Sequence, residues 1–440
     1  MPGPNSYFTN DRLGDLRESE RELIEKRNRL LGSAYRLFYD DPIEIVRGAG
    51  TRLYDADGVE YLDVYNNVPS VGHAHPRVVD AIATQAALVN THTRYLHRGI
   101  LDYSEDLLGT MPPELANVMY TCTGSEANDL ALRVAKNATG ARGVIVTANA
   151  YHGVTMEIAA ISPSLGGLDT IAPWVRVVDA PTGDGAGFAD AVAAAAAELK
   201  DSEHGFAAFI ADTVFASDGV WPGEPGYLTP VLTAVHDAGG LYIADEVQPG
   251  FGRLGSGLWG FSRHNTDSAS FVPDIVTLGK PMGNGMPIGA MIARSDLVDA
   301  FGERGRYFST FGGTPVSIAA AQAVFDIVRE EQLVDNAREV GRYLRAGLTL
   351  LASSHDAIGE IRGAGLFIGV DIVRGVEPDA ELALALVNEL RRRHVLIGAS
   401  GPRNNVLKVR PPLPFSTQDA DWFLTELDGA LRLTRTLGTD

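Results

Sequence analysis

The order of patterns along this chain predicts an α/β fold, with one large domain around a mainly parallel sheet and a smaller α/β lobe. Three observations carry that expectation. Apolar runs of strand length recur at 117–121, 143–147, 174–179, 206–211, 241–244, 274–278 and 288–292. Between several of them lie helical patterns, at 126–138, 187–200 and 226–238. Such alternation makes parallel strands whose connecting helices cover both faces of the sheet. The 440 residues correspond to two or three domains at about 150 residues each, enough chain to bury a large core.

The remaining elements follow in chain order. Residues 11–40, rich in Arg, Glu and Leu, read as a helical arm. Over 43–64, short β-rich runs flank an Asp-Ala-Asp-Gly turn, the pattern of a small meander. Beyond the alternating region, 315–353 reads as one long helix, then strands at 359–373 and about 406–409 flank a helix near 380–393. The expected boundaries are 1–70 for the arm and part of the small domain, 71–318 for the large domain and 319–440 for the C-terminal small domain.

Lys and Arg number 37 against 56 Asp and Glu, a formal net charge of −19. A pI near 4.9 argues against nucleic acid and anionic membrane as partners, since both attract basic patches. Hydrophobic content of 45% with 21% charged residues is that of a globular chain. Cys122 is the single cysteine, so neither an internal disulfide nor a thiol-only metal site is available. The polar, acidic N-terminal stretch has no apolar core of a signal peptide. No apolar run approaches the roughly 18 residues of a membrane span. The expectation is a soluble, cytoplasmic protein.

Chemistry concentrates where strands end, since ligands of such sheets bind beyond the carboxyl ends of the strands. Asp245 closes the apolar run Leu-Tyr-Ile-Ala, and a carboxylate at the mouth of a buried strand needs a cationic partner. Lys280 follows another strand and a glycine, in a tight Gly-rich loop, which makes it a candidate Schiff-base amine. Thr-Gly-Ser-Glu-Ala-Asn at 123–128 joins a strand to a helix, and Gly124 and Ser125 there would present N–H groups and a hydroxyl to an anion. Taken singly, each has a plain structural alternative: Asp245 as a turn cap, Lys280 as a surface lysine, the 123–128 segment as an ordinary N-cap. His73 and His75 in Val-Gly-His-Ala-His-Pro suggest a metal, but they lack a third ligand nearby and read as a structural turn. No metal site is expected. Gly-Asn-Gly-Met-Pro-Ile-Gly at 283–289 misses the dinucleotide fingerprint in its last glycine. No Gly-x-Ser-x-Gly elbow with matching partners ends a strand.

Together these pieces resemble the class III aminotransferases, pyridoxal-phosphate enzymes of fold type I, from about residue 35 to the C-terminus. The motifs are Thr-Gly-Ser-Glu-Ala-Asn-Asp-Leu-Ala-Leu-Arg (123–133), Tyr-His-Gly (151–153), Ile-Ala-Asp-Glu-Val-Gln (243–248), Thr-Leu-Gly-Lys (277–280) and Thr-Phe-Gly-Gly-Thr-Pro (310–315). The resemblance implies that Lys280 binds pyridoxal 5'-phosphate covalently and that Asp245 pairs with the pyridine nitrogen. Gln248 would hydrogen-bond the ring's phenolic oxygen, with Val247 beneath the ring and Tyr151 stacked on its other face, His152 beside it. Gly124 and Ser125 would hold the cofactor phosphate, joined by Thr310 from the other subunit of a homodimer with shared sites.

Two departures narrow the reading. Lys408 in Leu-Lys-Val-Arg-Pro-Pro-Leu (407–413) stands where amino-acid aminotransferases carry a carboxylate-clamping arginine. Asp-Thr-Val-Phe (212–215) replaces the usual Glu-Pro-(Ile/Val)-Gln, leaving Asp212 beside the cofactor. A lysine cannot make the planar two-point contact with a carboxylate, yet it serves phosphate as a point charge. The segments 65–76, 90–97, 271–285 and 401–408 are similar to the phospholyase branch of the family. That resemblance implies β-elimination of phosphate from a small phosphorylated amine: ethanolamine phosphate, giving acetaldehyde, ammonia and phosphate, or phosphohydroxylysine. Asn67, Arg94, His97, Lys408 and Arg410 are its candidate substrate residues. An ω-aminotransferase is the rival enzyme, and a non-catalytic cofactor-binding protein the rival outside enzymology.

Overall fold

A computed structural model of the protein describes residues 7–183, 185, 187–266 and 270–437. Its centre is a seven-stranded sheet in the order Asn117–Thr121, Gly289–Ala293, Ile275–Leu278, Leu241–Asp245, Phe206–Ala211, Gly143–Thr147 and Val175–Val178. Every residue of Phe206–Ala211, Leu241–Asp245, Ile275–Leu278 and Gly289–Ala293 is buried, which is why those segments read as continuous apolar runs. Side chains alternate between the faces. Val144, Val146, Ile210 and Ile243 pack with Leu130 and Val134 of the helix Gly124–Thr139. Ile145, Phe209 and Tyr242 belong to a separate core with Val192 and Val235, from the helices Phe188–Lys200 and Thr229–Asp237. The predicted sheet and its helical cover are therefore present.

One strand runs backwards. Gly289–Ala293 pairs antiparallel with both of its neighbours, while the other pairings across the sheet are parallel. Six carboxyl ends and one amino end thus share an edge.

The C-terminal lobe contains a sheet in the order Ile358–Ala364, Phe367–Arg374, Val406–Val409 and Gly398–Ser400. The predicted 43–64 meander forms Ile45–Ala49, Arg52–Asp55 and Glu60–Asp63, and the last pairs in parallel with Val395–Leu396. N-terminal strands thus join the C-terminal lobe. Two buried arginines tie the layers together. Arg253 donates to the carbonyls of Leu366 and Pro411. Arg362 forks onto Asp371 at 2.7 and 2.6 Å, reaches the carbonyls of Gly219 and Val220, and lies 3.8 Å above the Trp221 ring.

Three expectations about elements need correction. The 11–40 arm is a 3-10 turn, Asn10–Asp15, and a helix, Glu18–Leu31, that ends at Gly32 with φ +73°. The 315–353 helix is two, Pro315–Glu330 and Leu333–Ala352, divided at Gln332 with φ +53°. The 359–373 span is a hairpin of Ile358–Ala364 and Phe367–Arg374. Among the described residues no helix is long and apolar enough to cross a membrane.

Candidate active site

The shared sheet edge opens into a cavity of about 320 Å³ lined by Gly124, Ser125, Tyr151, His152, Asp212, Asp245, Val247, Gln248 and Lys280. Apart from Thr310, these are all of the cofactor candidates. The loops that carry them leave the carboxyl ends of the strands ending at Thr121, Thr147, Ala211, Asp245 and Leu278. Met286, Pro287 and Ile288 line it as well, brought there by the reversed strand that begins at Gly289.

Lys280 opens a one-turn helix with φ +27°, a conformation that costs a side-chain-bearing residue about 1–3 kcal/mol and that clusters at functional sites. Its ammonium is stripped of water, which pushes the amine down to about 8; Asp245 and Asp212 oppose that shift and Arg410 adds to it. Nζ lies 5.9 Å from the Tyr151 ring centroid.

Asp245 is 4% exposed and held on three sides. Its Oδ2 accepts from Asn128 Nδ2 at 2.9 Å and meets His152 Nδ1 at 2.8 Å. Its Oδ1 accepts the Val247 N–H at 3.0 Å, so the turn-cap alternative is also real. Asn128, which sequence reasoning missed, donates as well to His152 O at 2.8 Å and accepts from Thr277 Oγ1 at 2.6 Å. One carboxamide thereby fixes the helix, the His152 loop and two strands.

At the other end of the cavity the helix Gly124–Thr139 points its N-terminus inward. Thr123 Oγ1 accepts the Glu126 N–H at 3.1 Å, so the capping alternative holds too. Ser125 Oγ accepts from the Val154 N–H at 3.2 Å. A Cβ on Gly153 would stand 2.3 Å from that hydroxyl, at φ +133°. A Cβ on Gly279 would lie 2.9 Å from the Gly124 backbone. The cradle is closed to side chains.

The substrate candidates divide. Arg410, 8% exposed, donates from Nη1 to Gln248 Oε1 at 2.7 Å and to Asn67 Oδ1 at 3.2 Å, with its guanidinium over Tyr65 at 4.7 Å. Arg410 Nε and Asn67 Nδ2 are buried donors without a partner. Lys408 is buried, and desolvation drives its amine well below the ordinary lysine value, with Arg410 and Lys280 adding and Asp212 opposing. Asp212 accepts the N–H groups of Val214 at 2.9 Å and Ala216 at 3.1 Å, while burial and then Asp245 raise its carboxyl.

Asn67, Lys408 and Arg410 do not themselves line the Lys280 cavity, and Arg410 reaches it through Gln248; Arg94 and His97 stand elsewhere again. Arg94 is exposed above the Phe308 ring at 3.8 Å. His97 stands at the N-cap position of the helix Arg98–Leu108 without a side-chain capping bond, and lines a second cavity of about 350 Å³ with Tyr95, Leu96 and Ser309. Thr310 is exposed and outside the Lys280 cavity. His73 Nε2 meets Asp63 Oδ2 at 2.6 Å, and His75 Nε2 meets Glu331 at 3.3 Å. Among the described residues no three candidate ligands gather for a metal.

The residues present fit pyridoxal phosphate. A helix N-terminus with a glycine and a hydroxyl suits its phosphate, a buried carboxylate suits its ring nitrogen, and an amine with a lowered pKa stands between them. The aminotransferase class III family model matches residues 38–431. A Caenorhabditis elegans ethanolamine-phosphate phospho-lyase homolog is 37% identical, the match covering 94% of each chain. A Drosophila melanogaster alanine–glyoxylate aminotransferase 2-like protein is 40% identical over 92% of this chain and 86% of its own. An Arthrobacter phospholyase solved in complex with phosphoethanolamine is 42% identical and superposes with a TM-score of 0.88, over 93% of this chain and 99% of that one. With this cavity, this fold and a match across nearly the whole chain, the protein belongs to the class III aminotransferase family of pyridoxal-phosphate enzymes of fold type I.

Proposed function

We propose that the protein is a phospho-lyase that removes phosphate from ethanolamine phosphate by β-elimination. The carrying observation is the buried Arg410 guanidinium with the buried Lys408 amine near it, accompanied by the unfilled donors Arg410 Nε and Asn67 Nδ2. Buried donors without partners cost about 1–3 kcal/mol each, and a phosphate group brings the acceptors that relieve this. The names of the worm relative and the Arthrobacter structure support the same chemistry.

Bound pyridoxal phosphate supplies the electron sink. Asp245, held by Asn128 and His152, would pair with the ring nitrogen and support its proton. Lys280 takes the proton from the aminated carbon, a task suited to an amine poised near neutral pH. The C–O bond to the neighbouring carbon then breaks with its electron pair leaving on phosphate, and Arg410 stabilises the growing charge, joined by Lys408, whose proton the phosphate dianion favours. Hydrolysis of the remaining enamine by one water gives acetaldehyde and ammonia.

The test is to mix the holoenzyme with ethanolamine phosphate and no keto acid. Phosphate and acetaldehyde should appear in equal amounts. Amine loss only on adding pyruvate or 2-oxoglutarate would instead establish the aminotransferase reading, which the Drosophila relative's name favours. Phosphohydroxylysine in parallel reads the choice of amine.

The same reading makes the protein a homodimer in which Thr310 completes the partner's phosphate site. Leu96, Met156 and Phe311 are 99%, 88% and 69% exposed, apolar surface of the kind that a second copy covers. Sedimentation at micromolar concentration should give twice the chain mass; a monomer would remove Thr310 from the site.

A further inference from the structure

The amide of Gln248 has a donating end and an accepting end, and its neighbour Arg410 decides which of them faces the cavity. Arg410 Nη1 lies 2.7 Å from Gln248 Oε1. A guanidinium carries five donors and no acceptor. Turned over, the amide would set N–H against N–H in a buried place, so only Oε1 is admissible there. Arg410 itself is locked from several sides. Its backbone N–H bonds Val64 O at 3.0 Å, its Nη1 also bonds Asn67 Oδ1 at 3.2 Å, and its plane lies over Tyr65. The other end of the amide is thereby left to the cavity that Gln248 lines.

We infer that Arg410 is a positioning residue for the cofactor: by holding Oε1 of Gln248, it commits the Nε2 donor to the oxygen of the cofactor ring. This rests on the reading that places the ring oxygen against Gln248. The ring oxygen is most strongly anionic when the Lys280–cofactor linkage has lost its proton, because the two no longer share it. A fixed donor therefore favours the deprotonated form, and the linkage titrates at a lower pH than it would without one.

The visible absorption of the resting holoenzyme, titrated with pH and with no substrate present, reads this directly. Arg410→Met should raise the midpoint by roughly one unit, a tenfold change in the proton equilibrium. Arg410→Lys, which keeps a donor, should restore most of the wild-type midpoint. In a Gln248→Met background, Arg410→Met should raise the midpoint by clearly less, keeping only the part that the guanidinium charge exerts on Lys280 through space. An equal rise in both backgrounds would overturn the inference, since the guanidinium would then be acting through space by its charge alone. No rise in either background would overturn it as well. Should Arg410→Met fail to hold cofactor, Arg410→Gln carries the same comparison. The midpoint is read without substrate, so its outcome is independent of whether phosphate or an amino group is the product of turnover.

Discussion

Lys280 should behave as an amine several hundred times more acidic than an ordinary lysine. Burial brings it from 10.5 to about 8. At pH 8 half of it is neutral, against about 0.3% of an unperturbed lysine, a gain of roughly 150-fold in the nucleophilic form. Competitive acetylation of the cofactor-free protein between pH 6 and 11 or so, followed by peptide mass spectrometry, measures this residue by residue. The Lys280 peptide should reach half-labelling near pH 8 while exposed lysines follow their ordinary curve. Asp245→Asn should move Lys280 lower still, because Asp245 is the largest influence opposing the shift. The stability of the cofactor-free protein follows with a defined sign. Below pH 8 both folded and unfolded chains hold the proton, and the full cost of about 3 kcal/mol is present. As pH rises from 8 towards 10.5, the folded chain releases its proton first, so the cost is lost and stability increases through that window. Half-labelling at the ordinary lysine value, with no rise in stability over this window, would refute the argument from burial.

Other substitutions probe the remaining parts of the site. Asn128→Leu leaves Asp245 Oδ2, His152 O and Thr277 Oγ1 each short of a partner; thermal unfolding should show a loss of about 2–4 kcal/mol, with weaker cofactor retention on dialysis. Gly153→Ala drives a methyl onto Ser125 Oγ at a backbone angle that disfavours side chains, so cofactor affinity should fall while the rest of the fold stays intact by circular dichroism. Lys408→Ala removes one buried amine donor from the proposed phosphate site and should lower kcat/KM for ethanolamine phosphate by roughly one to two orders of magnitude. Unchanged kinetics would place Lys408 outside the pocket.

Much of this site is legible because a parallel sheet turns sequence position into spatial position. An apolar run identifies a strand, and the residue after it must stand at the functional edge, which is how Asp245 and Lys280 declare themselves. The misses have a common cause in direction and partnership. Met286, Pro287 and Ile288 precede a strand, so they reach the cavity only because Gly289–Ala293 runs backwards, and hydrophobicity carries no arrow. Asn128 lies in a helix whose buried face is otherwise apolar; its place at Asp245 depends on a strand more than 100 residues away in sequence. Arg94 and His97 sit in a segment similar to the phospholyase branch, but resemblance along the chain does not say which wall of a single protomer the side chains face. The break between Glu330 and Leu333 comes at Gln332 in a left-handed conformation. Neither proline nor glycine marks it, so the periodicity alone reads through.

The net charge of −19 and the proposed phosphorylated substrate pose a conflict that salt resolves experimentally. Encounter is governed by the whole surface, and an acidic surface repels a phosphate; added salt screens that repulsion beyond about 8 Å at physiological ionic strength. In the proposed reading, binding is governed by Arg410 and Lys408, which are 8% and 7% exposed and so are screened far less. The two effects have opposite signs, and burial decides between them. If the cations lie inside, kcat/KM for ethanolamine phosphate should hold steady or rise as neutral salt is added from low ionic strength. Phosphate-binding cations at the surface would instead lose their ligand to competing ions, and kcat/KM would fall. Steady-state kinetics across a sodium chloride series distinguishes these outcomes. A fall would mean that the groups holding the phosphate are exposed arginines such as Arg94, and that the buried pair serves the fold.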